Sequence, residues 1–341
     1  MSKEIVVCTG GLGYIGSHTV ISVFEAGFEP IILDNLSNSN IKCLERLNKL
    51  LKCELMFIKA DIREPKEINE AFKKIEEKYK KTIFGVIHFA GLKAVGQSQS
   101  FPLEYYENNV TGTINLLKQM KEFKIKNIIF SSSACVYGNK SNCTENDPIR
   151  PNNVYGRTKA IIENILEDVS KKDIKAISLR YFNPIGAHPS GEIGESPLDI
   201  HNNLMPIILQ VVTKRREKLQ IFGNDYATKD GSGVRDYLHV VDIADAHTLA
   251  LKNLEKMKDY EVINLGTGTG VSVLELVQTF ENVNSLKINY EIAPRRPGDV
   301  DIVTANCEKA FKLLGWKPSK SLEDCCKDSM NWISKNPKGY E

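Results

Sequence analysis

The chain has 341 residues, 42% of them hydrophobic and 26% charged, enough to bury a large core in one or two domains. Its 45 basic and 43 acidic residues leave a net charge of +2, which argues against a nucleic-acid or membrane-surface role resting on bulk charge. No apolar run approaches the roughly 20 residues that span a membrane, and none reads as a signal peptide. The eight cysteines include no Cys-x-x-Cys pair, so neither a metal site nor a disulfide framework is expected and a reducing cytoplasm fits best.

Residues 5–8 form a short apolar strand. Thr9-Gly10-Gly11-Leu12-Gly13-Tyr14-Ile15-Gly16 comes next, then a helix whose apolar positions are Val20, Ile21, Val23 and Phe24. Strand, glycine turn and helix together cradle a dinucleotide: glycines let the backbone approach the pyrophosphate, and the helix N-terminus offers free N–H groups with a partial positive charge. A second strand, residues 30–33, ends in Asp34, at about the 20-residue spacing expected of a ribose-binding acid. A carboxylate there accepts ribose hydroxyls and repels a 2′-phosphate, so the expected cofactor is NAD rather than NADP.

Helices over 41–51 and 66–79 flank a third strand, 55–60, that runs into Asp61 and Ile62. A fourth strand, 85–91, leaves through a small-residue turn, and a long helix spans 105–121. The fifth strand, 127–130, meets Ser131-Ser132-Ser133; a helix over 155–171 and a sixth strand, 176–180, come after it. This alternation predicts an α/β fold, a Rossmann-type doubly wound parallel sheet. Beyond Asn183 the pattern changes: loop over 184–203, helix 204–214, strand 219–222, loop to Asp236, helix 240–254 and strand 262–265. Residues 271–341 hold further helices and a short β run at 288–292. The expected division is an NAD-binding domain over 1–183, its sheet completed by parts of 236–270, and a smaller, interleaved substrate-binding lobe made mainly of 184–341.

Tyr155 and Lys159 lie one helical turn apart at the start of their helix. An ammonium beside a phenol favours the phenolate, which makes Tyr155 a candidate general base despite an ordinary pKa near 10. Taken alone, such a pair also fits a solvated helix face. Ser133, at the end of the preceding strand, offers a hydroxyl for a reacting oxygen, or a cap for the next turn.

Together, the glycine turn, Asp34, Ser133 and Tyr155-x-x-x-Lys159 resemble the extended short-chain dehydrogenase/reductase superfamily. The blocks over 89–96, 131–138, 180–184, 202–206, 222–226, 233–237 and 264–270 extend the likeness over essentially the whole chain, and more specifically to the UDP-glucose 4-epimerase family. The resemblance implies that NAD lies along Gly10, Gly13, Tyr14, Ile15 and Gly16, with Asp34, Asn35, Asn38 and Ser39 holding the adenosine end and Asp61 and Ile62 flanking the adenine. Phe89, Ala90, Gly91, Lys93, Asn108, Tyr155, Lys159, Tyr181 and Phe182 would line the remainder. It places a UDP-sugar against Lys93, Ser133, Tyr155, Asn183, Asn203, Leu204, Phe222, Arg235, Tyr237, Arg296 and Asp299, with the arginines clamping the diphosphate. Arg295 fits either that clamp or a structural salt bridge.

The implied reaction is a reversible 4-epimerisation of UDP-glucose and UDP-galactose in which hydride passes to NAD and back, with Ser133, Tyr155 and Lys159 as catalytic residues. Val303 stands where family members carry either a bulky tyrosine or a small residue, so N-acetylated UDP-sugars are expected as further substrates. Cys135 replaces the family's usual threonine, a small-for-small change expected to be tolerated. Dehydratases of the superfamily carry an Asp-Glu pair where this chain has Ala134 and Cys135, which counts against dehydration. A decarboxylase or a non-catalytic NAD-binding protein is a further alternative on the same fold. Family members dimerise through a four-helix bundle, so a homodimer is expected from the helices over 105–121 and 155–171, with Ile161, Ile165 and Leu166 at the seam or in the monomer core.

Overall fold

The computed structural model describes residues 3–198, 203–296 and 299–340; Asn202, part of one family-like block, lies outside them. The first half alternates strand and helix: β1 (Ile5–Thr9), α1 (Tyr14–Glu25), β2 (Glu29–Asp34), α2 (Lys42–Leu51), β3 (Met56–Lys59), α3 (Pro65–Tyr79), β4 (Ile83–His88). The short helices α4 (Val95–Ser100) and α5 (Pro102–Tyr105) come next, then a π-helical turn (Tyr106–Thr111) running into α6 (Gly112–Glu122). β5 (Asn127–Ser133), α7 (Val154–Ser170) and β6 (Lys175–Tyr181) complete this half. The second half contains β7 (Asn183–Ile185), α8 (Leu204–Val212), β8 (Leu219–Phe222), β9 (Val234–Arg235), β10 (Tyr237–His239), α9 (Val240–Asn253), β11 (Tyr260–Leu265) and β12 (Val271–Ser272). It ends in α10 (Val273–Asn284), β13 (Tyr290–Ala293), β14 (Ile302–Val303), α11 (Glu308–Leu314) and α12 (Leu322–Lys335).

Seven strands form one parallel sheet in the order β11-β6-β5-β4-β1-β2-β3, the doubly wound arrangement expected from the sequence. Both faces are covered, so its strands read as continuous apolar runs rather than alternating ones. Successive residues still feed opposite layers. Val6, Cys8, Ile32, Ile87, Ile129 and Leu179 join the core built with α1, α2 and α9; Ile5, Val7, Ile31, Leu33, Val86 and Ile128 join that of α3, α6 and α7.

Among the described residues the remaining strands form three small sheets: β7 beside β10, β9 between β12 and β14, and β8 beside β13. The segment expected to be loop over 184–203 therefore opens in a strand, and its pairing sets Asn183 opposite Tyr237. The helix expected over 105–121 is not regular: its first part is the π-turn, where neighbouring Asn108 and Asn109 serve the cleft and the interior respectively. Among the described residues no helix is long and apolar enough to cross a membrane. All eight cysteines are free.

Candidate active site

The strand order reverses at β1, which passes to β2 on one side and β4 on the other; ligands of open α/β sheets bind outside such a switch point. A cavity of about 370 Å³ opens there. Gly10 sits at its floor with φ +68°, and a Cβ on it would stand 2.7 Å from the Ala90 backbone nitrogen, so only glycine fits. Gly13, Tyr14, Ile15 and Gly16 also line the cavity at the start of α1. No side chain caps that helix and no acid occupies its first turn, which leaves its N–H groups and positive end for an anionic ligand.

Asp34 closes β2, almost fully buried, and lines the cavity with Asn35, Asn38, Ser39 and Ile62. Its carboxylate accepts from the backbone nitrogens of Leu12 (3.0 Å) and Leu36 (2.9 Å) and from Ser39 Oγ (2.8 Å). The acid thus ties the glycine turn to the loop after β2. Asp61 stands off the cavity wall: it is held by Arg63 and accepts from Asn35 Nδ2 at 2.9 Å, so it acts on the cavity through Asn35.

Across the switch point Phe89, Ala90, Gly91, Lys93, Asn108, Tyr181, Phe182 and Asn183 complete the wall, with Ser133, Tyr155 and Lys159 among them. Ser133 ends β5 and its Oγ accepts from Cys135 N at 3.2 Å. Asn153 caps α7 through Gly156 N (2.7 Å), and Tyr155 N donates to Ser98 Oγ (3.2 Å), which fixes the start of that helix against α4. Lys159 Nζ donates to the Ser131 carbonyl at 2.7 Å and stands 5.7 Å from the centre of the Tyr155 ring.

The electrostatics differ from the expectation that Lys159 lowers the Tyr155 pKa. Burial pushes the Tyr155 phenol well above its ordinary value, with Cys135 and Tyr181 adding to it and Ser133 opposing. Burial also brings the Lys159 ammonium down to about 8, against the pull of Glu163 and Cys135. Burial sets the direction of both shifts, and the ammonium donates to the Ser131 carbonyl.

Several supporting residues belong to no motif. Asn109 is buried; its Oδ1 accepts from Leu92 N (2.8 Å), while its Nδ2 donates to Leu92 O (3.0 Å) and to Thr158 Oγ1 (3.1 Å). One amide thus joins the turn after β4 to the Tyr155–Lys159 side of α7. His247 on α9 packs, tilted, against the Phe89 ring (4.8 Å) and lies 5.7 Å from Tyr181, both of the cavity wall. Behind Ser132, Glu163 forms a buried pair with Arg180 (2.6 Å), which also donates to Tyr137 Oη (2.8 Å). Glu163 continues the helix face of Tyr155 and Lys159, the one trace of its place that spacing carries.

A second cluster gathers the remaining expected residues outside the cavity. Arg235 Nη2 and Arg296 Nε meet Asp299 at 3.2 and 3.0 Å, and the Arg296 guanidinium lies 4.9 Å above the Phe222 ring. Arg295 is taken by Asp225 (2.7 Å) and Asp301 (3.6 Å) and stacks on Tyr226, the salt-bridged alternative of the two weighed for it. Tyr237 feels the charges of Arg235, Arg296 and Asp299, and its strand partner Asn183 lines the cavity, so β7 and β10 join the two clusters. Val303 pairs with Arg235 across β14 and β9 and packs with Tyr137 and Phe182. Asn203 lies on the cavity wall, whereas Leu204 opens α8 and packs on the core.

UDP-glucose 4-epimerase 2 from Arabidopsis thaliana is 50% identical over 348 residues, spanning 100% of this chain and 97% of that protein. The chain belongs to the UDP-glucose 4-epimerase family. The UDP-glucose 4-epimerase of Stenotrophomonas maltophila, solved with bound NAD and formylated UDP-arabinopyranose, superposes with a TM-score of 0.93 at 41% identity, covering 98% of this chain and 99% of that one. The UDP-Glc/GlcNAc 4-epimerase of Campylobacter jejuni gives 0.84 at 32% identity, covering 97% and 99%. The broader family model described as GDP-mannose 4,6 dehydratase also matches, over residues 7–329. Epimerase membership agrees with the two residues after Ser133: Ala134 has no acid, and burial holds the Cys135 thiol above its ordinary value.

Proposed function

We propose that this chain interconverts UDP-glucose and UDP-galactose with tightly held NAD. The observation that carries the reading is the placing of Ser133, Tyr155 and Lys159 on the same cavity wall as Gly10 and Asp34, with an arginine-lined cluster joined to it through Asn183 and Tyr237. The cavity suits the cofactor: the Gly10 floor admits no Cβ, the α1 N-terminus is uncapped, and the acid Asp34 lies on its wall at the end of β2. When bound, NAD supplies the acceptor and the returning donor of a hydride. Tyr155, as the phenolate, takes the proton of the sugar 4-hydroxyl and Ser133 hydrogen-bonds the same oxygen. Arg235 and Arg296 hold the diphosphate, Asp299 the ribose, and Phe222 packs on the base. The anchored nucleotide fixes one end of the substrate while the sugar turns to present its other face. In this reading residues 1–183 with β11 hold the cofactor, and 184–341 mainly hold the UDP-sugar.

Purified protein given UDP-galactose without added NAD should form UDP-glucose at unchanged mass and release NAD on denaturation. A product lighter by one water assigns dehydration instead, and no turnover with NAD supplied rejects the reading.

The small, half-buried side chain of Val303, paired with Arg235 across β14 and β9, supports UDP-N-acetylglucosamine and UDP-N-acetylgalactosamine as further substrates. Val303→Tyr should abolish that activity and spare the first, as a paired assay of the two sugar classes would show. We also assign a homodimer. Phe101 and Leu103 are exposed beside α7, where Ile161 is 36% exposed, whereas Leu166 is wholly buried and belongs to the monomer core. A light-scattering mass of a single chain would refute the dimer.

A further inference from the structure

We propose that residues Glu192 to Leu198 form a strap across the cofactor cavity and that Glu195 is its latch, a positioning residue acting through Lys93 and Asn203. This rests on the NAD reading of the cavity. Gly194, Glu195, Ser196 and Pro197 all line the cavity. One end of the strap bonds to the adenosine side: Leu198 N donates to Asn38 Oδ1 at 2.8 Å, in the loop after β2. Its middle bonds to the opposite side: Glu195 Oε1 accepts from Lys93 Nζ at 3.0 Å, in the turn after β4, and from Asn203 Nδ2 at 3.3 Å. The segment therefore bridges the two loops between which the strand order reverses.

Its outer side is braced. Gly194 fits against Trp332 so closely that a Cβ would stand 2.4 Å from the ring. Gly194 N donates to Tyr340 Oη (3.2 Å), which donates back to Gly194 O (3.3 Å). Arg46 donates to the Glu192 carbonyl at 3.3 Å and stacks on Trp332 and Tyr340. Asn336 donates to Gly191 O at 2.9 Å.

The chemistry of Glu195 gives the latch its meaning. A carboxylate on the wall of a cavity built for diphosphates repels its ligands unless its charge is spent elsewhere. Glu195 has only 9% of its side chain exposed and meets Lys93, whose side chain is 45% exposed. The ion pair cancels the repulsion, draws a long cation over the cavity mouth and ties the strap down with charge-assisted bonds. Asn203, on the sugar side, is aligned by the same oxygen.

The test measures release of bound NAD, by chase with labelled NAD, from wild type, Glu195→Ala and Glu195→Gln, alongside KM and kcat for UDP-galactose with NAD in excess. Glu195→Ala should release NAD about tenfold faster or more and raise KM several-fold, with kcat within about threefold of wild type. Glu195→Gln keeps the acceptor without the charge and should fall between. In a double-mutant cycle, Lys93→Met with Glu195→Ala should release NAD no faster than the faster single variant. Unchanged release in both Glu195 variants, or effects that multiply fully in the cycle, overturns the latch. A wild type that neither holds nor uses NAD overturns the proposed epimerase function instead.

Discussion

Tyr155→Phe should cut turnover of UDP-galactose by on the order of 10²–10⁴-fold, the usual contribution of a positioned acid–base group. Loss of cofactor is not the expected cause. The ring that borders the cavity is retained, and Lys159 Nζ keeps its bond to the Ser131 carbonyl. The variant should therefore release as much NAD on denaturation as wild type. Such a loss of rate corresponds to about 3–5 kcal/mol of transition-state stabilisation. Turnover close to wild type in a variant that retains NAD removes Tyr155 from the role of base. Burial raises the phenol, so the proposed base form of Tyr155 depends on what shares the cavity with it.

Arg180→Met should cost stability, about 3–5 kcal/mol, the range found when one member of a buried ion pair is removed. Arg180 and Glu163 have side chains only 3% and 2% exposed, and the substitution strands Glu163 with the Ser132 hydroxyl (2.5 Å) as its remaining bonded partner. Tyr137 Oη also loses a donor, keeping its bond to Asn264 Oδ1 at 2.6 Å. Urea unfolding followed by tryptophan fluorescence reads the loss, since Trp316 and Trp332 are both buried. Adding Glu163→Leu should restore most of it, because a buried ion pair replaced whole by apolar side chains costs little. If the double variant is as unstable as the single, the cost lies in packing around α7 rather than in the stranded carboxylate.

The alternation of apolar runs and amphipathic helices makes the large sheet legible because each strand is short, buried on both faces and bounded by glycine or acid. β7, β9, β10 and β14 are illegible for the opposite reason: each is only two or three residues long, and its partner, not its composition, makes it a strand. The candidate cofactor residues stand out in the sequence since most sit immediately after a strand's carboxyl end. Asp61 has that position too, yet it is turned toward Asn35 and Arg63. Asn109, Glu163 and Glu195 have no local signature sufficient to assign them. What each does depends on a partner from a distant segment, such as Leu92 for Asn109 or Lys93 for Glu195. The protonation of Tyr155 does not follow from spacing, which reveals the neighbouring cation but not the loss of water around the ring.

The brace behind the strap depends on Trp332, Asn336 and Tyr340, while the glycine turn lies at residues 10–16. During synthesis the ribosome emits the cradle long before the brace. Strands β1 to β6 are outside the tunnel while the segment that secures Gly194 is still untranslated. A nascent chain can offer the α1 N-terminus to a nucleotide, but it cannot hold that nucleotide behind a finished wall. In the proposed reading, tight loading of NAD is therefore set by when residue 340 reaches Gly194 rather than by when the glycine turn folds.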